Sequence, residues 1–314
     1  VRVDVDRVAW TATAALLWPT QGAFEESANP TLDKVRVASG SLTLRNVARG
    51  FSPAGSATPA APTTSAATAS ELQFFAHHYR DRREITARPD NTILSLSAAD
   101  ISISTLGASQ VGSYALGPGR ADSVLWIAGQ LGDWYGVPHR TVSLIAEGGY
   151  QWRVRWQPWI RAGMLHASGD RDPSDARHGT FFPMLPSTKP DLLAGTFAQM
   201  NLRDVFAELR VQPHRRVEVA GDVRKMSLLE ASDHWYSGTG ATARRGSFFG
   251  FLTRPAWGST DLGVVTKASV KIEVNRRWTI SGSFGTVTGG QVVRRLFAGD
   301  RLTVFSLESV LTLD

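Results

Sequence analysis

The stretch Asp261–Asn275 reads DLGVVTKASVKIEVN, and its side chains alternate between two chemical types. The even-numbered positions from Leu262 to Val274 are almost purely aliphatic, whereas the odd-numbered positions from Lys267 onward are polar or charged. Successive side chains of a β-strand point to opposite faces, while a helix scatters residues of this period around its circumference. The stretch therefore predicts a long strand with one apolar and one polar face.

The same alternation recurs along the chain, for example in residues 1–6, 142–153, 205–212 and 217–223. We count about 13 such segments of about 9–13 residues, closer to the ~9–11 residues of a membrane-spanning strand than to the ~5–6 of a globular one. Charged side chains recur on the polar faces, which is typical of a water-filled barrel interior. The pattern indicates a single all-β domain over residues 1–314.

The connections between these segments fall into two length classes. Tight turns are predicted at 7–8, 117–120, 213–216 and 275–277, and long connections near 19–34, 83–99, 169–203, 230–260 and 288–300. Short turns at one end and long loops at the other are typical of outer-membrane barrels. We therefore predict an antiparallel transmembrane β-barrel of about 13–18 strands, with its long external loops near 169–203 and 230–260.

Two further features refine this prediction. Residues 50–70 are rich in Ala, Ser, Thr, Pro and Gly, and they predict a flexible insertion on the short-turn side. Tryptophans recur at predicted strand ends, as in the aromatic girdles of such barrels. The set includes Trp134, Trp152, Trp156, Trp159 and Trp278.

Composition excludes several classes of function. The chain has no cysteine, which removes disulfides, thiolate nucleophiles and cysteine-based zinc sites. Its 34 Lys and Arg outnumber its 28 Asp and Glu, for a net charge of +6, and they are dispersed rather than gathered in a basic run. The basic balance favours an anionic partner, which could be nucleic acid, anionic lipid or an acidic glycan, and the dispersion of the charges disfavours nucleic acid.

Motifs for enzymatic chemistry are weak. Gly238–Ala243 imitates a dinucleotide fingerprint but lacks the flanking strand and helix that this motif needs. No nucleophile elbow, phosphate-binding loop or zincin motif occurs in the sequence. Carboxylates on the polar faces alternate with cations, which favours ion-pair ladders over an acid–base pair. We predict no enzymatic activity and no cofactor.

The polar strand faces supply the candidate substrate contacts. We expect them to act electrostatically, by lowering the barrier to an anion in a wet pore. The candidate residues are Arg153, Arg161, Arg210, Arg224, Lys267, Lys271, Glu147 and Glu208.

The segment His166–Ser187, HASGDRDPSDARHGTFFPMLPS, is the most distinctive long connection. Asp170 and Asp172 suggest a calcium loop, but Pro173 interrupts the motif and Phe181 occupies its twelfth position, where an EF-hand has Glu. A turn built from Ser, Gly, Asp and Pro is the alternative. We predict no metal site and keep Asp170 and Asp172 as a minor calcium candidate.

This segment also resembles a known family. SGDRDPSD (168–175) followed by GTFFPMLPS (179–187) is similar to a signature of the alginate-export family of outer-membrane proteins. Gln130 and Gly132 resemble that family's Gln-x-Gly strand, and Gly258–Gly263 resembles the start of its penultimate hairpin. In the family, several strands precede the region similar to residues 1–18, so we expect an N-terminally incomplete copy or a smaller relative.

The resemblance implies an integral protein of the Gram-negative outer membrane. Family barrels have 18 strands and carry an anionic polysaccharide, alginate in the best-known case, through an arginine-rich pore without chemical turnover. The implied partners are this polymer, outer-membrane lipid and lipopolysaccharide, and periplasmic export components. Two alternatives stay open: a plugged or structural barrel in an envelope assembly, and a soluble glycan-binding β-protein.

Overall fold

The computed structural model describes residues 1–20, 29–47, 69–84, 90, 100–184, 195–238 and 250–312. These parts of the chain are nearly all β-structure. The elements are β1 (Arg2–Asp6), β2 (Trp10–Leu17), β3 (Val35–Val47), β4 (Ala69–Asp81), β5 (Ile101–Leu116), β6 (Gly119–Trp134), β7 (Val137–Trp152), β8 (Trp159–Ala167), β9 (Leu202–His214), β10 (Val217–Ser227), β11 (His234–Ser237), β12 (Leu252–Pro255), β13 (Asp261–Glu273), β14 (Trp278–Gly289), α1 (Gln291–Leu296) and β15 (Arg301–Leu311).

Thirteen of the strands form one antiparallel sheet. Each strand pairs with its neighbour along the chain, except that the hairpin β11–β12 is inserted between β10 and β13. The prediction of an all-β antiparallel fold is confirmed. Within the described residues β1 and β15 are the two edges of this sheet and do not pair with each other. Because thirteen strands alternate in direction, these two edge strands run the same way.

The two faces of the sheet differ as the alternation predicts. In β13, Val264, Val270 and Ile272 are exposed on the outward face, whereas Lys267 and Lys271 lie partly buried on the inward face. The outward faces of the other strands are likewise apolar and exposed, with Leu106, Leu125, Ile127, Leu131, Val142, Ile160, Leu209, Val223 and Phe305 among them. An exposed apolar face backed by a polar one is the pattern of transmembrane β-strands.

The main core lies on the inward face, near the long connections. Val37 of β3, Ile103 of β5 and Trp134 of β6 pack there in one buried cluster with Phe182 and with Tyr236 of the inserted hairpin. Strand β3 and this hairpin are far apart in the order of the sheet. The sheet therefore curls so that its long connections fill part of the concave side.

The connections follow the predicted two classes, with two differences. The short turns at one end are 7–9, 117–118, 153–158, 215–216 and 274–277. At the opposite end a two-residue turn, 135–136, joins β6 to β7 where a long loop is usual, and α1 occupies the last long connection. Of the predicted insertion 50–70, residues 50–68 lie outside the described residues, while Ala69 and Ser70 already belong to β4.

Two of the tryptophans assigned to an outer girdle lie elsewhere. Trp134 faces inward and is fully buried, and its ring stacks on His178 at a centroid distance of 4.3 Å. Trp159 also faces inward, because it shares the alternation of Arg161 in β8. Period two assigns residues to a face only when the phase of the strand is known. Among the described helical residues, no helix has the length and apolarity needed to cross a membrane.

Candidate functional site

A row of charged side chains crosses the inward face at one height. The row follows directly opposed positions on six neighbouring strands, β6, β7, β8, β9, β10 and β13. These positions are Asp122, Gly149, Arg161, Glu208, Asp222 and Lys267, and all of them except Gly149 are charged. Directly opposed residues in neighbouring strands are close enough for their side chains to interact. The pairing register therefore turns residues scattered over 146 sequence positions, from 122 to 267, into one continuous row.

Ion pairs join this row to the rungs beside it. Arg161 Nη2 lies 2.7 Å from Glu147 Oε2, and Arg161 Nε lies 3.7 Å from Asp122 Oδ1. Arg210 Nη2 lies 3.0 Å from Glu208 Oε1, and its Nη1 lies 3.5 Å from Glu218 Oε1. Each arginine thus bridges two carboxylates.

The same arrangement continues on β9, β10 and β13. Arg224 Nη1 lies 2.6 Å from Asp204 Oδ2, Arg224 Nε lies 3.2 Å from Asp222 Oδ2, and Lys267 Nζ lies 3.6 Å from Asp222 Oδ1. We call the ion-paired set the charge belt. It comprises Asp122, Glu147, Arg161, Asp204, Glu208, Arg210, Glu218, Asp222, Arg224 and Lys267. Six carboxylates thus face four cations, so the belt by itself is not cation-rich.

Aromatic rings hold the three arginines of the belt in place. The guanidinium groups of Arg161 and Arg210 lie 5.4 Å and 4.8 Å from the centre of the Trp159 ring. Trp159 Nε1 also donates a 2.7 Å hydrogen bond to Asp122 Oδ2, and a Cβ at Gly149 would lie 2.6 Å from both of these atoms. Arg224 lies 4.3 Å above the Phe206 ring. Stacking and ion pairing together limit the side-chain freedom of these arginines.

Most of the predicted contact residues lie on this face. Arg161, Arg210, Arg224, Lys267, Glu147 and Glu208 belong to the charge belt. Lys271 lies beyond the belt on the same face, with its Nζ 3.6 Å from Glu273 Oε1. Arg153 differs, because β7 ends at Trp152 and Arg153 is exposed in the turn 153–158.

Sequence reasoning missed three members of this site. Asp204 continues the alternation of Glu208 and Arg210, so extending that strand backward by two steps would have found it. Asp122 and Trp159 carried no such signal, because the apolar residues Val124, Trp126 and Ala128 follow Asp122 on the same face and Trp159 was assigned to the girdle. Their roles depend on contact between β6 and β8, which are not adjacent.

The turns at the short-turn end concentrate positive charge. Four of the five described turns there carry arginine, and none of the five contains Asp or Glu. We call these residues the turn arginines: Arg7, Arg153, Arg155, Arg215, Arg216, Arg276 and Arg277, all of them exposed. The short-turn end therefore presents a positive rim beside an inward face whose own charges are mostly paired.

A long connection covers the other end of the inward face. We call residues 168–184 the capping loop. Phe182 N–H donates to Gln130 Oε1 at 2.9 Å, and Gln130 Nε2 donates to the Phe182 carbonyl at 2.8 Å. Gly132, two residues on, has φ +157, and a Cβ there would lie 2.0 Å from the Ser102 carbonyl oxygen. Gln130 thus holds the capping loop against β6, and Gly132 allows β6 to approach the backbone of β5 closely.

The aspartates of the capping loop also have structural roles. The buried carboxylate of Asp233 accepts hydrogen bonds from Asp170 N–H, Thr180 Oγ1 and Tyr236 OH. Burial, and then the neighbouring Asp233, raises the pKa of Asp170 to about 7. Asp172 accepts bonds from Ser174 in a local turn. Across the described ranges, no group of three or more His, Cys, Asp or Glu could hold a metal ion.

An antiparallel sheet with an apolar outward face and a charged inward face is typical of the class of transmembrane β-barrel proteins, and the sheet described for this chain, although not closed, is consistent with that class. The model of the alginate export family matches residues 62–296, well over half of the chain. The chain therefore belongs to the alginate export family, an outer-membrane transport family and not a family of enzymes. The matched range contains Gln130, the capping loop and the charge belt. Comparison with curated proteins gave no match.

Proposed function

We propose that the protein is a passive outer-membrane channel for an anionic polysaccharide or a smaller anionic solute. One observation carries the proposal: exposed turn arginines stand at one end of an inward face that the charge belt crosses. A positive rim raises the local concentration of a polyanion by long-range attraction. The paired charges of the belt then contact the polyanion without binding it tightly.

The belt suits passage because its cations already have partners. A carboxylate of a polyuronate that approaches Arg161 or Arg210 competes with Glu147, Glu208 and Asp122 for the same guanidinium groups. The exchange replaces one ion pair by another and gains little net free energy. Conduction needs binding that is favourable enough for entry and weak enough for exit. Glu147 and Glu208 prevent trapping in this mechanism, while Arg224, Lys267 and Lys271 extend the path of cationic contacts.

The orientation follows from the connections. Outer-membrane barrels carry short turns on the periplasmic side and long loops outside. The turn arginines, including Arg153 and Arg155, then face the periplasm, where an exported polymer and the export components that deliver it are found. The apolar outward face contacts membrane lipid and lipopolysaccharide.

Planar-bilayer recording tests this proposal. The purified protein should form pores that a polyuronate oligomer enters and transiently blocks, with more frequent block events when the oligomer is added on the short-turn side. The double variant Arg153→Gln/Arg155→Gln should lower the frequency of block events severalfold, most strongly at low salt, because screening weakens long-range attraction. Arg36→Gln/Arg301→Gln removes the same charge from exposed positions at the opposite end and should change the frequency little.

Absence of conductance in reconstituted protein would overturn the channel proposal. Equal effects of the two double variants would overturn the role of the turn arginines. A protein that stays in solution without detergent would instead support the soluble glycan-binding alternative.

The capping loop favours a second candidate, a plugged or structural barrel in an envelope assembly. Phe181 and Phe182 are buried against the inward face, so the loop occupies part of the concave side. A plugged barrel predicts that wild-type protein does not conduct while a variant with a released capping loop does. Conductance of the wild type excludes this candidate.

A further inference from the structure

A cavity of about 390 Å³ lies between the capping loop and the inward faces of β2–β6. Its volume is within the roughly 300–1,000 Å³ of small-molecule sites. The fifteen described residues that line it include no Asp, Glu, Lys or Arg, in contrast to the charge belt on the same face. The cavity thus suits a ligand, or a part of a ligand, that carries no charge.

One wall of the cavity is aromatic. The Phe75 ring lies nearly parallel to that of His77, with centroids 5.2 Å apart and planes at 23°, and to that of Trp126, with centroids 5.9 Å apart and planes at 17°. Phe181 of the capping loop meets Trp126 edge to face, at 6.3 Å and 85°. The result is a group of rings with nearly parallel planes, closed at one side by the loop.

The backbone of β5 makes room for this wall. Gly107 stands directly opposite Phe75 in the sheet, and a Cβ at Gly107 would lie 2.2 Å from Phe75 Cζ. The absence of a side chain lets the Phe75 ring lie across β5 toward β6, where Trp126 lies. Any other residue at position 107 would displace the ring. The orientation of the wall therefore depends on a glycine at this position.

Amides and hydroxyls complete the lining. Gln73 Nε2 donates to Thr43 Oγ1 at 3.2 Å, and Gln199 Nε2 donates to Ser143 Oγ at 2.8 Å, so both amides are held in place. Each amide has a second N–H and a carbonyl oxygen with which it can bond a ligand. Ser39 lies on the same lining. A purely apolar ligand would not use these groups, whereas a ligand with several hydroxyl groups would.

From this lining we infer that the cavity is a subsite for one pyranose ring of a saccharide. The apolar C–H face of the ring packs on Phe75 and Trp126, and its hydroxyl groups bond to Gln73 and Gln199. Because no Lys or Arg is among the described residues that line the cavity, it takes a neutral hexose unit in preference to a uronate. The inference rests on the proposed function, in which a polysaccharide moves along this face, and it adds a contact based on stacking rather than charge.

Saccharide titrations of the full detergent-solubilised chain test the subsite. The probes are a neutral hexose oligomer and a uronate oligomer of equal length, with binding measured by calorimetry. Trp126→Leu should weaken binding of the neutral oligomer about tenfold or more, because a stacked ring contact is lost. Trp257→Leu is the matched control, since Trp257 is 59% exposed and lies outside the cavity. It should bind the neutral oligomer as the wild type does.

A second variant guards against misfolding of the first. Gln73→Leu/Gln199→Leu keeps the aromatic wall and should also weaken the neutral oligomer, while leaving block of the channel by the uronate oligomer within about twofold of wild type. Unchanged affinity for the neutral oligomer in both variants would overturn the subsite. A Trp126→Leu variant that weakens the uronate oligomer as much as the neutral one would overturn its preference.

The outcomes separate this inference from the proposed function. Wild-type protein that binds the neutral oligomer but forms no pore would refute the channel and leave the subsite standing. Wild-type protein that forms pores blocked by the uronate oligomer, but binds no neutral oligomer, would refute the subsite and leave the channel standing.

Discussion

The charge belt and the cavity under the capping loop lie on the same inward face, yet they are built from opposite chemistry. The belt runs from β6 to β13 and consists of ion pairs between partly exposed side chains. The cavity lies between β2 and β6, is lined by aromatic, amide and hydroxyl groups, and is covered by a loop. The difference shows how one curled sheet provides both a wet charged wall and a sheltered neutral site.

The difference in solvent exposure explains why the two regions differ. Ion pairs that remain partly solvated avoid most of the desolvation penalty of buried charges, so a charged wall is tolerated where the inward face is open. Under the capping loop the inward face is less exposed to solvent, and aromatic rings and hydrogen-bonded amides are tolerated better there than unpaired charges. The position of the loop therefore decides which chemistry each part of the wall can carry.

Gln130→Leu should have the largest effect, because it removes the pair of hydrogen bonds that holds the loop over the cavity. The N–H and C=O of Phe182 would lose these two hydrogen bonds, at roughly 1–3 kcal/mol for each buried group. The midpoint temperature of thermal unfolding in detergent should fall, and proteolysis within residues 168–184 should become faster. Gln151→Leu, a partly buried glutamine at the other end of the same face, should change neither measurement. Equal rates of proteolysis in the two variants would show that Gln130 does not hold the loop.

Arg161→Leu should have the next largest effect, and it tests the belt alone. Its loss leaves Glu147 and Asp122, each about one-fifth exposed, without their cation. We expect the free energy of unfolding to fall by about 1–2 kcal/mol and the pore to shift toward cation preference, because the excess of negative charge in the belt then increases. The double variant Arg161→Leu/Glu147→Leu should regain part of the lost stability. Denaturant unfolding and reversal potentials measure both effects, and a single variant as stable as the wild type would refute the pairing.

The attachment of the capping loop should depend on pH through Asp170. The pKa of Asp170 is raised to about 7 from 3.8, so the folded state binds more protons than the unfolded state between these values. Stability of the loop attachment therefore falls as pH rises from about 4 to about 7 and levels off above that. Hydrogen exchange of residues 168–184, corrected for intrinsic rates, should show this trend. Asp170→Asn should reduce this slope strongly, whereas Asp175→Asn, whose charge is the smallest influence on the pKa of Asp170, should reduce it only slightly; a wild-type profile without slope would contradict the assignment.

Lys271→Gln should have the smallest effect, and it marks where the belt ends. Its side chain is 36% exposed and meets only the more exposed Glu273 at 3.6 Å in the described part of the chain. Exposed pairs contribute about 0–1 kcal/mol, so stability should stay within about 0.5 kcal/mol of wild type. Arg210→Gln, inside the belt and over Trp159, should cost clearly more. Equal costs in denaturant unfolding would extend the belt to Lys271.

The sequence by itself determined the strands, their two faces and the antiparallel order. Period-two alternation is a local property, readable in Asp261–Asn275 without knowledge of the rest of the chain. The signature around Gly169–Pro183 and the pair Gln130 and Gly132 likewise sufficed to indicate the family.

Only the tertiary structure decided which residues meet. The ion pairs of Arg161, the contact of Gln130 with Phe182 and the placement of Phe75 over Gly107 depend on strand register and on the path of a long loop. Periodicity assigns a side chain to a face but leaves its height and its neighbour open, because a shift of register changes every partner. For this reason alternation predicted a charged inward face, whereas the neutral cavity beneath the capping loop required the fold.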